Sequence, residues 1–517
     1  MSKNQIVVLS DIHIGTNAPT VWYQQKYHEP YLARVLDYVI EKASEIKELI
    51  LLGDVVDFWT YPPDEPPPSF DAIMAANPNI FGLNGKLSEV LTALKGNVTY
   101  VRGNHDMTIT QNDLDKIENA EGYKIKLSPD DIYYPLDNGN GDKRIACTHA
   151  HLYTMFNAPY TNNNPVAPLP LGYFITRCVA FKRFNELKGS DKTVAELAGS
   201  GDPSNDELLP NLFDELLKSN INQFSLAETV LRIVANATGV KETQLIKLAA
   251  DKEITFGNAV KIYNALFSEW VSQHGKLVAC KSVMADKDGS YLGWFAQKLA
   301  LPQNTELVVM GHTHKPISGL SESLIQYINT GFGCPSTLDI GKKHPTFVMI
   351  DVDKCQGKVY QVVKDEKSYR PIEFGSAEKA KVCSDLSLGD YSLSLSGDDY
   401  SCYVIIDNRQ GKFDLTRKDY GKNNGDYPVA PPDRIKRGEQ VKFWLQDLPG
   451  PFGSEGWVAY QQDSGNEIKF TYECPYLFAY SNSCSGANFY TKSGSSDWGG
   501  ENEVAKRGHP FFVRFVL

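Results

Sequence analysis

Residues 6–13 read Ile-Val-Val-Leu-Ser-Asp-Ile-His, and residues 49–57 read Leu-Ile-Leu-Leu-Gly-Asp-Val-Val-Asp. Each is a short apolar run that stops abruptly on side chains able to hold a metal. Such runs, bounded and without polar alternation, fit strands covered on both faces, as in an α/β sheet. The pattern returns further along the chain. Asn97–Arg102 leads into Gly103-Asn104-His105-Asp106, Arg144–Thr148 into His149-Ala150-His151, and Glu306–Met310 into Gly311-His312-Thr313-His314. Between the first two runs, Tyr31–Ile46 sets Leu32, Val35, Leu36, Val39 and Ile40 on one helical face. Alternating strand and helix signals predict a layered α/β fold.

The chain has ten histidines, and six of them fall in these five motifs. Taken singly, each motif is weak. Asp11-Ile12-His13 can arise by chance, Asn104 can cap a turn, and a lone His149 is more often structural. Taken together, in order and each at the carboxyl end of a strand, they occupy the place where α/β sheets put their sites. His28, His274, His344 and His509 lie outside the motifs and read as structural or surface groups.

In this order the five motifs resemble the calcineurin-like metallophosphoesterases over roughly residues 5–350, and Tyr327–Gly331 is similar to that family's following strand and turn. The resemblance implies a four-layer α/β sandwich and a phosphoester hydrolase with two divalent ions about 3.5–4 Å apart. It places Asp11, His13, Asp54 and His314 on one ion and Asp54, Asn104, His149 and His312 on the other, with Asp54 as the bridge. Mixed nitrogen and oxygen donors suit Mn, Fe, Zn or Co, with Mn the first choice, and no Cys takes a ligand position. It also implies in-line attack by a metal-bridged hydroxide, with His105 protonating the leaving oxygen and Asp106 holding its imidazole in the donating tautomer. Asp57 is expected as support behind the ligands, and His151 fits a phosphate contact or a ligand equally well.

Leu52–Trp59 is also similar to UDP-2,3-diacylglucosamine pyrophosphohydrolases, which carry a helical insertion before the last motif. Those enzymes commonly have Arg where this chain has His105, which favours an ordinary phosphomonoesterase or phosphodiesterase and leaves the lipid-linked pyrophosphohydrolase as the alternative. A nuclease comes third, disfavoured by the net charge of -11, which argues against a dedicated nucleic-acid binder while leaving room for a local basic patch.

Around this site the chain divides into blocks. Residues 1–370 form the phosphoesterase region, with a helical insertion at about 171–300 in which Ser225-Leu-Ala-Glu228 opens a helix that Gly239 closes. Residues 371–385 read as a linker. Residues 386–517 show short extended runs punctuated by Gly, Asn, Asp and Ser, the pattern of an all-β sandwich. There, Pro451–Gly456 and Tyr472–Pro475 are similar to aegerolysins, small β-sandwich proteins that bind membrane lipids. That likeness implies a lipid-binding module, and it keeps open a membrane-binding or pore-forming effector with an accessory phosphoesterase.

At 42% hydrophobic and 22% charged the composition is that of a globular protein. No stretch approaches the roughly 18 apolar residues needed to span a bilayer, and the N-terminus lacks a secretory pattern. Nine scattered cysteines without a C-x-x-C pair read as reduced thiols in a cytoplasmic protein, with Cys474 and Cys484 the pair that could bridge if it were exported without a signal. If Asp54 bridges the two ions, Asp54→Asn releases both and abolishes nearly all turnover. Activity retained in a metal-loaded Asp54→Asn variant contradicts the assignment.

Overall fold

Strand alternation sorts the apolar runs onto two cores. In the strand Gln5–Leu9, which pairs in parallel with Ile46–Leu52, Ile6 and Val8 point one way and Val7 and Leu9 the other. Ile6, Val8, Ile50 and Leu52 pack with Ile145, Cys147, Leu307, Val309 and Ile328. Val7, Leu9, Leu49 and Leu51 pack instead with Val35, Leu36 and Val39 of the helix Gln25–Glu41 and with Val90 and Leu91 of the helix Lys86–Leu94. Burial on both faces is why these runs carry no polar alternation.

The computed structural model describes residues 3–162, 164–197, 225–286, 289–320, 322–366, 368–375, 386–388, 391–393, 399–448, 452–477 and 479–517. Among them a seven-stranded sheet runs Tyr369–Phe374, Gln356–Lys364, Thr346–Asp351, Gln5–Leu9, Ile46–Leu52, Val98–Val101, Lys126–Leu127. A four-stranded sheet runs Gln326–Asn329, Leu307–Met310, Ile145–Thr148, Ile132–Tyr133. Residues of both sheets meet in the core that holds Ile6 and Val309. On the other face of the smaller sheet, Ala146, Val308, Met310 and Tyr327 join the helical insertion.

Three expectations shift. The first helix is Gln25–Glu41 rather than 31–46. Pro30 looks like a helix start but sits in the second turn, and the real start is fixed from a distance by Asn17 Oδ1, which accepts from Gln25 N at 2.8 Å. The end comes early because Ile46 is needed opposite Gln5 in the sheet. Tyr369–Phe374, of which 371–374 was read as linker, is the edge strand of the large sheet, where Pro371 costs no ladder hydrogen bond on the solvent side. Residues 376–385 of that linker lie outside the described residues.

The insertion contains the helices Leu171–Leu187, Leu226–Thr238 and Leu292–Ala300, and also a small hairpin, Leu245–Lys247 with Glu253–Thr255, that interrupts the expected all-helical block. Residues 198–224 and 287–288 within it are outside the description. Ser225 Oγ accepts from Glu228 N at 3.1 Å and Gly239 closes the helix at φ +74°, as the sequence predicts, while Glu228 itself turns outward to Arg232 at 2.8 Å.

The C-terminal region is built from strands. One five-stranded sheet has Cys402–Asp407 at its centre, antiparallel to Gln440–Gln446 and parallel to Phe511–Val516. The other is centred on Ser454–Gln462 between Leu415–Asn424 and Glu467–Cys474. Phe443 and Phe515 of the first meet Tyr472 and Phe470 of the second, with ring centroids 5.8 and 4.7 Å apart. The outer face of the first sheet carries Tyr403, Trp444 and Phe512 as a stacked row. Trp294 of the insertion packs edge-on to Trp444 at 5.6 Å and donates its indole N–H to Gln446 Oε1 at 2.7 Å. The β region is thereby anchored to the insertion by desolvated aromatic surface. Cys474 and Cys484 are free thiols on neighbouring strands, and Pro451 falls outside the described residues. Among the described residues no helix is long and apolar enough to cross a membrane.

Candidate metal centre

Three loops that follow strand ends are knitted into one surface by backbone hydrogen bonds. Asp11 N donates to Gly53 O at 3.1 Å, Ile12 N and His13 N both donate to Asp54 O, and Phe58 N reaches His105 O. The loops approach so closely that two of the motif glycines are obligatory. A Cβ on Gly103 would stand 2.5 Å from Asp54 N, and one on Gly53, at φ +77°, would stand 2.7 Å from the backbone of Gly103. Asp11, His13, Asp54, His312 and His314 themselves hold left-handed backbone, with φ between +51° and +76°. That conformation is costly for residues with a Cβ and concentrates where surrounding structure imposes a functional geometry.

The seven residues expected as ligands converge. On one side Asp11, His13 and His314 gather their donor atoms within 4.8 Å of one another, with His13 Nε2 3.1 Å from His314 Nε2 and Asp11 Oδ1 3.6 Å from His314 Nε2. On the other side Asp54, His149 and His312 do the same. There Asn104 Oδ1 stands 3.2 Å from His149 Nε2 and 3.0 Å from His312 Nδ1. Asp54 Oδ2 lies between, 3.1 Å from His149 Nε2 and 3.9 Å from His13 Nε2. Carboxylate, amide oxygen and imidazole nitrogen aimed at two common points fit two divalent ions of the Mn, Fe, Zn or Co type.

Outer partners fix which ring nitrogen faces inward. His13 Nδ1 is tied to Asp57 Oδ2 at 3.1 Å and His149 Nδ1 to Leu52 O at 2.9 Å, which leaves Nε2 of both toward the centre. His312 is reversed. Its Nε2 meets Thr154 Oγ1 at 3.1 Å and stands 3.7 Å from Asp286 Oδ1, so Nδ1 faces inward. His105 N donates to Asp54 Oδ1 at 2.7 Å, leaving Oδ2 for the shared position.

The cluster is nearly sealed from water, and its electrostatics follow. Burial pushes Asp54 upward, yet His149, His105 and His13 around it hold its carboxyl well below the usual range. His149 is correspondingly pushed up to about 10: burial works against its charge, and Asp54 and Asp11 overcome it. Burial lowers His312 to about 4 and also lowers His13.

Asp106 needs a correction. Its oxygens accept from Val55 N at 2.9 Å, Gly103 N at 2.6 Å and the Tyr100 hydroxyl, and none of them supports His105. Burial and neighbouring Asp54 raise its carboxyl to about 6. The carboxylate facing His105 is Asp57, whose Oδ1 is 3.1 Å from His105 Nδ1, although the N–H points off that line. Asp57 Oδ1 also accepts from Trp59 N and Thr60 N, so the side chain is held rigidly between His13 and His105. His151 belongs to neither donor set. It is buried, and burial lowers it to about 3. His28 is a core residue, its Nε2 on Pro335 O at 2.9 Å.

The sequence reading missed the residues contributed from outside the motifs. Asp286, at the end of the helix Lys276–Ala285, accepts from Phe156 N and Asn157 Nδ2, and Asn157 Oδ1 in turn accepts from Asn104 Nδ2 at 3.3 Å. Trp59 stacks on His105 at 4.4 Å, and Trp22 lies against His13, His105 and His314. No spacing rule marks these positions. The centre opens into a cavity of about 130 Å³ bounded by Trp22, Phe156, Asp286 and the helix Leu171–Leu187.

Residues 5–195 match the family described as calcineurin-like phosphoesterase. Among solved structures, a dimetal phosphatase from Danio rerio is 10% identical and covers 72% of this chain and 99% of its own, with a TM-score of 0.26. The lipid binding protein Nakanori is 13% identical over 22% of this chain and 69% of its own, with a TM-score of 0.18. No curated protein matches the chain. Because Asp57 orients His13, Asp57→Asn is expected to weaken one of the two candidate metal sites by roughly 10–100-fold and spare the other in calorimetric titration with a divalent ion. Equal loss at both sites, or at neither, contradicts that role.

Proposed function

From the calcineurin-like phosphoesterase domain of residues 5–195, which makes the chain a metal-dependent phosphoesterase, we propose a dinuclear enzyme that hydrolyses phosphomonoester or phosphodiester bonds on or near lipid. Its ligands are Asp11, His13, Asp54 and His314 for one ion and Asp54, Asn104, His149 and His312 for the other, with Mn as the working metal. We read the two facing sheets and their outer helices as a four-layer sandwich, with residues 386–517 as a separate β-sandwich module. The observation that carries this is the position of Asp54, whose Oδ2 stands within 3.9 Å of donors from both sets.

Two divalent ions, when bound, neutralise phosphoryl oxygens and make water acidic enough to attack near neutral pH. The chain's own residues supply the rest. His105 is the proton donor to the leaving oxygen. Burial works against its charge, but Asp57 and Asp54 outweigh burial and hold its pKa above the ordinary value. It therefore keeps its proton to higher pH than a free imidazole would and loses it as pH rises further, so it sets the alkaline limb of the rate. Trp59 and Trp22 pack on its ring and keep bulk water from competing for that proton. Asp57 holds the ring and supplies the counter-charge, and its replacement by Asn moves the alkaline limb to lower pH. Asp106 is structural here, tying the Gly103 and Val55 loops together.

His105→Ala is expected to keep both metals and to slow substrates with poor leaving groups by about 10²–10⁴-fold. p-Nitrophenyl esters, which leave without a proton, are affected far less. Equal slowing of both classes in steady-state assays contradicts the assignment of the acid.

The lipid part of the reading is supported by one end of the β region, where Phe452, Leu477 and Tyr480 are 60%, 54% and 65% exposed. Apolar side chains of this size on neighbouring loops fit a surface that meets lipid. The full chain is expected to co-sediment with phospholipid vesicles in chelator as well as in metal, and a Phe452→Ser/Tyr480→Ser variant to stay in solution with turnover of soluble esters intact. No co-sedimentation by the unaltered chain contradicts this reading.

A further inference from the structure

The cavity over the metal centre has a wall that comes entirely from the insertion. Gly172, Ile175, Thr176, Val179, Ala180 and Arg183 of the helix Leu171–Leu187 line it. Their spacing of three and four places them along one helical face. The near end is fixed beside the ligands. Gly172 N donates to Phe156 O at 2.7 Å, and a Cβ at Gly172 would strike Asn157 Oδ1, the atom that holds the amide of Asn104. Arg183 lies eleven residues on, which is about 16 Å along the helix axis. Arginine leans back toward the helix N-terminus, so its guanidinium stands on the order of 10 Å from the near end.

The character of the wall changes along this distance. At the centre the lining is carboxylate, amide and imidazole. In the middle, Val179 and Ala180 are buried and apolar, and Phe156 and Trp22 add further apolar lining to the same cavity. At the far end Arg183 returns a full positive charge, only 6% exposed and steadied by Glu186 Oε2 at 2.8 Å from Nη1. A guanidinium that is already desolvated and held in one orientation is suited to a charge-assisted hydrogen bond with a carboxylate or phosphate.

We infer that Arg183 determines specificity by pairing with a second anionic group of the substrate, so that the preferred ester has a phosphoryl head, an apolar span and a distal anion. This rests on the phosphoesterase reading above and deepens it, because the helix wall then selects among esters that the metal centre alone would treat alike. The alternative is that Arg183 only stabilises the insertion, through its i,i+3 pair with Glu186 and its further contacts.

Binding of non-hydrolysable probes separates the two. The full chain, loaded with Mn, is titrated by calorimetry with 8-phosphonooctanoate and with octylphosphonate, which differ only in the distal carboxylate. The unaltered chain is expected to prefer the carboxylate by about tenfold, consistent with one charge-assisted pair. Arg183→Gln should abolish that preference while leaving octylphosphonate affinity and octyl phosphate turnover within about twofold, and Arg183→Lys should restore part of it. No preference in the unaltered chain, or equal weakening of both probes by Arg183→Gln, overturns the inference. If no phosphoester is turned over at all, the enzyme reading fails, and the binding comparison still decides the role of Arg183.

Discussion

One buried carboxylate organises the catalytic half of this protein. Asp54 sits in a pocket almost closed to water, among His13, His105 and His149. A lone carboxylate there would take up a proton rather than keep its charge. Every loop around it is arranged to keep the charge. His105 N fixes one oxygen, the imidazoles of two loops approach the other, and glycines at 53 and 103 let the backbones close to contact. Divalent cations complete the compensation.

That compensation extends outward through carboxylates that are themselves buried. Asp57 serves His13 and His105 at once, so the geometry of a candidate ligand and of the proposed proton donor depends on one side chain. Asp286 does something similar from the insertion, linking His312 to Asn157 and through it to Asn104. The insertion is therefore part of the centre's framework as well as a wall of its cavity. The β region joins the same framework through Trp294, Trp444 and Gln446, which couples the exposed apolar end of the chain to the helices above the site.

Much of this was legible from local signals. Asp11, His13, Asp54, Asn104, His149, His312 and His314 follow apolar runs, and a strand ending on a ligand is a short-range pattern. The strands of the phosphoesterase sheets and of the β region were visible for the same reason. What stayed hidden depends on tertiary context. The family resemblance implied Asp106, next to His105 in sequence, as the ring's partner, but the tight loop turns Asp106 back onto Gly103 N and Val55 N and presents Asp57, from another strand end, to the ring. The first helix was misplaced because its cap, Asn17, is eight residues away. Tyr369–Phe374 looked polar because an edge strand has one face in water. Asp286 and Arg183 sit in helical sequence with no motif around them, and only the packing of the insertion brings them to the site.

The central claim is that Asp54 bridges two metal ions. Anomalous diffraction from crystals of the full chain soaked in Mn tests it most directly. The account predicts two peaks about 3.5–4 Å apart, one contacting Asp11, His13 and His314, the other Asn104, His149 and His312, with Asp54 touching both. A single peak, or two peaks that leave Asp54 unligated, would contradict it.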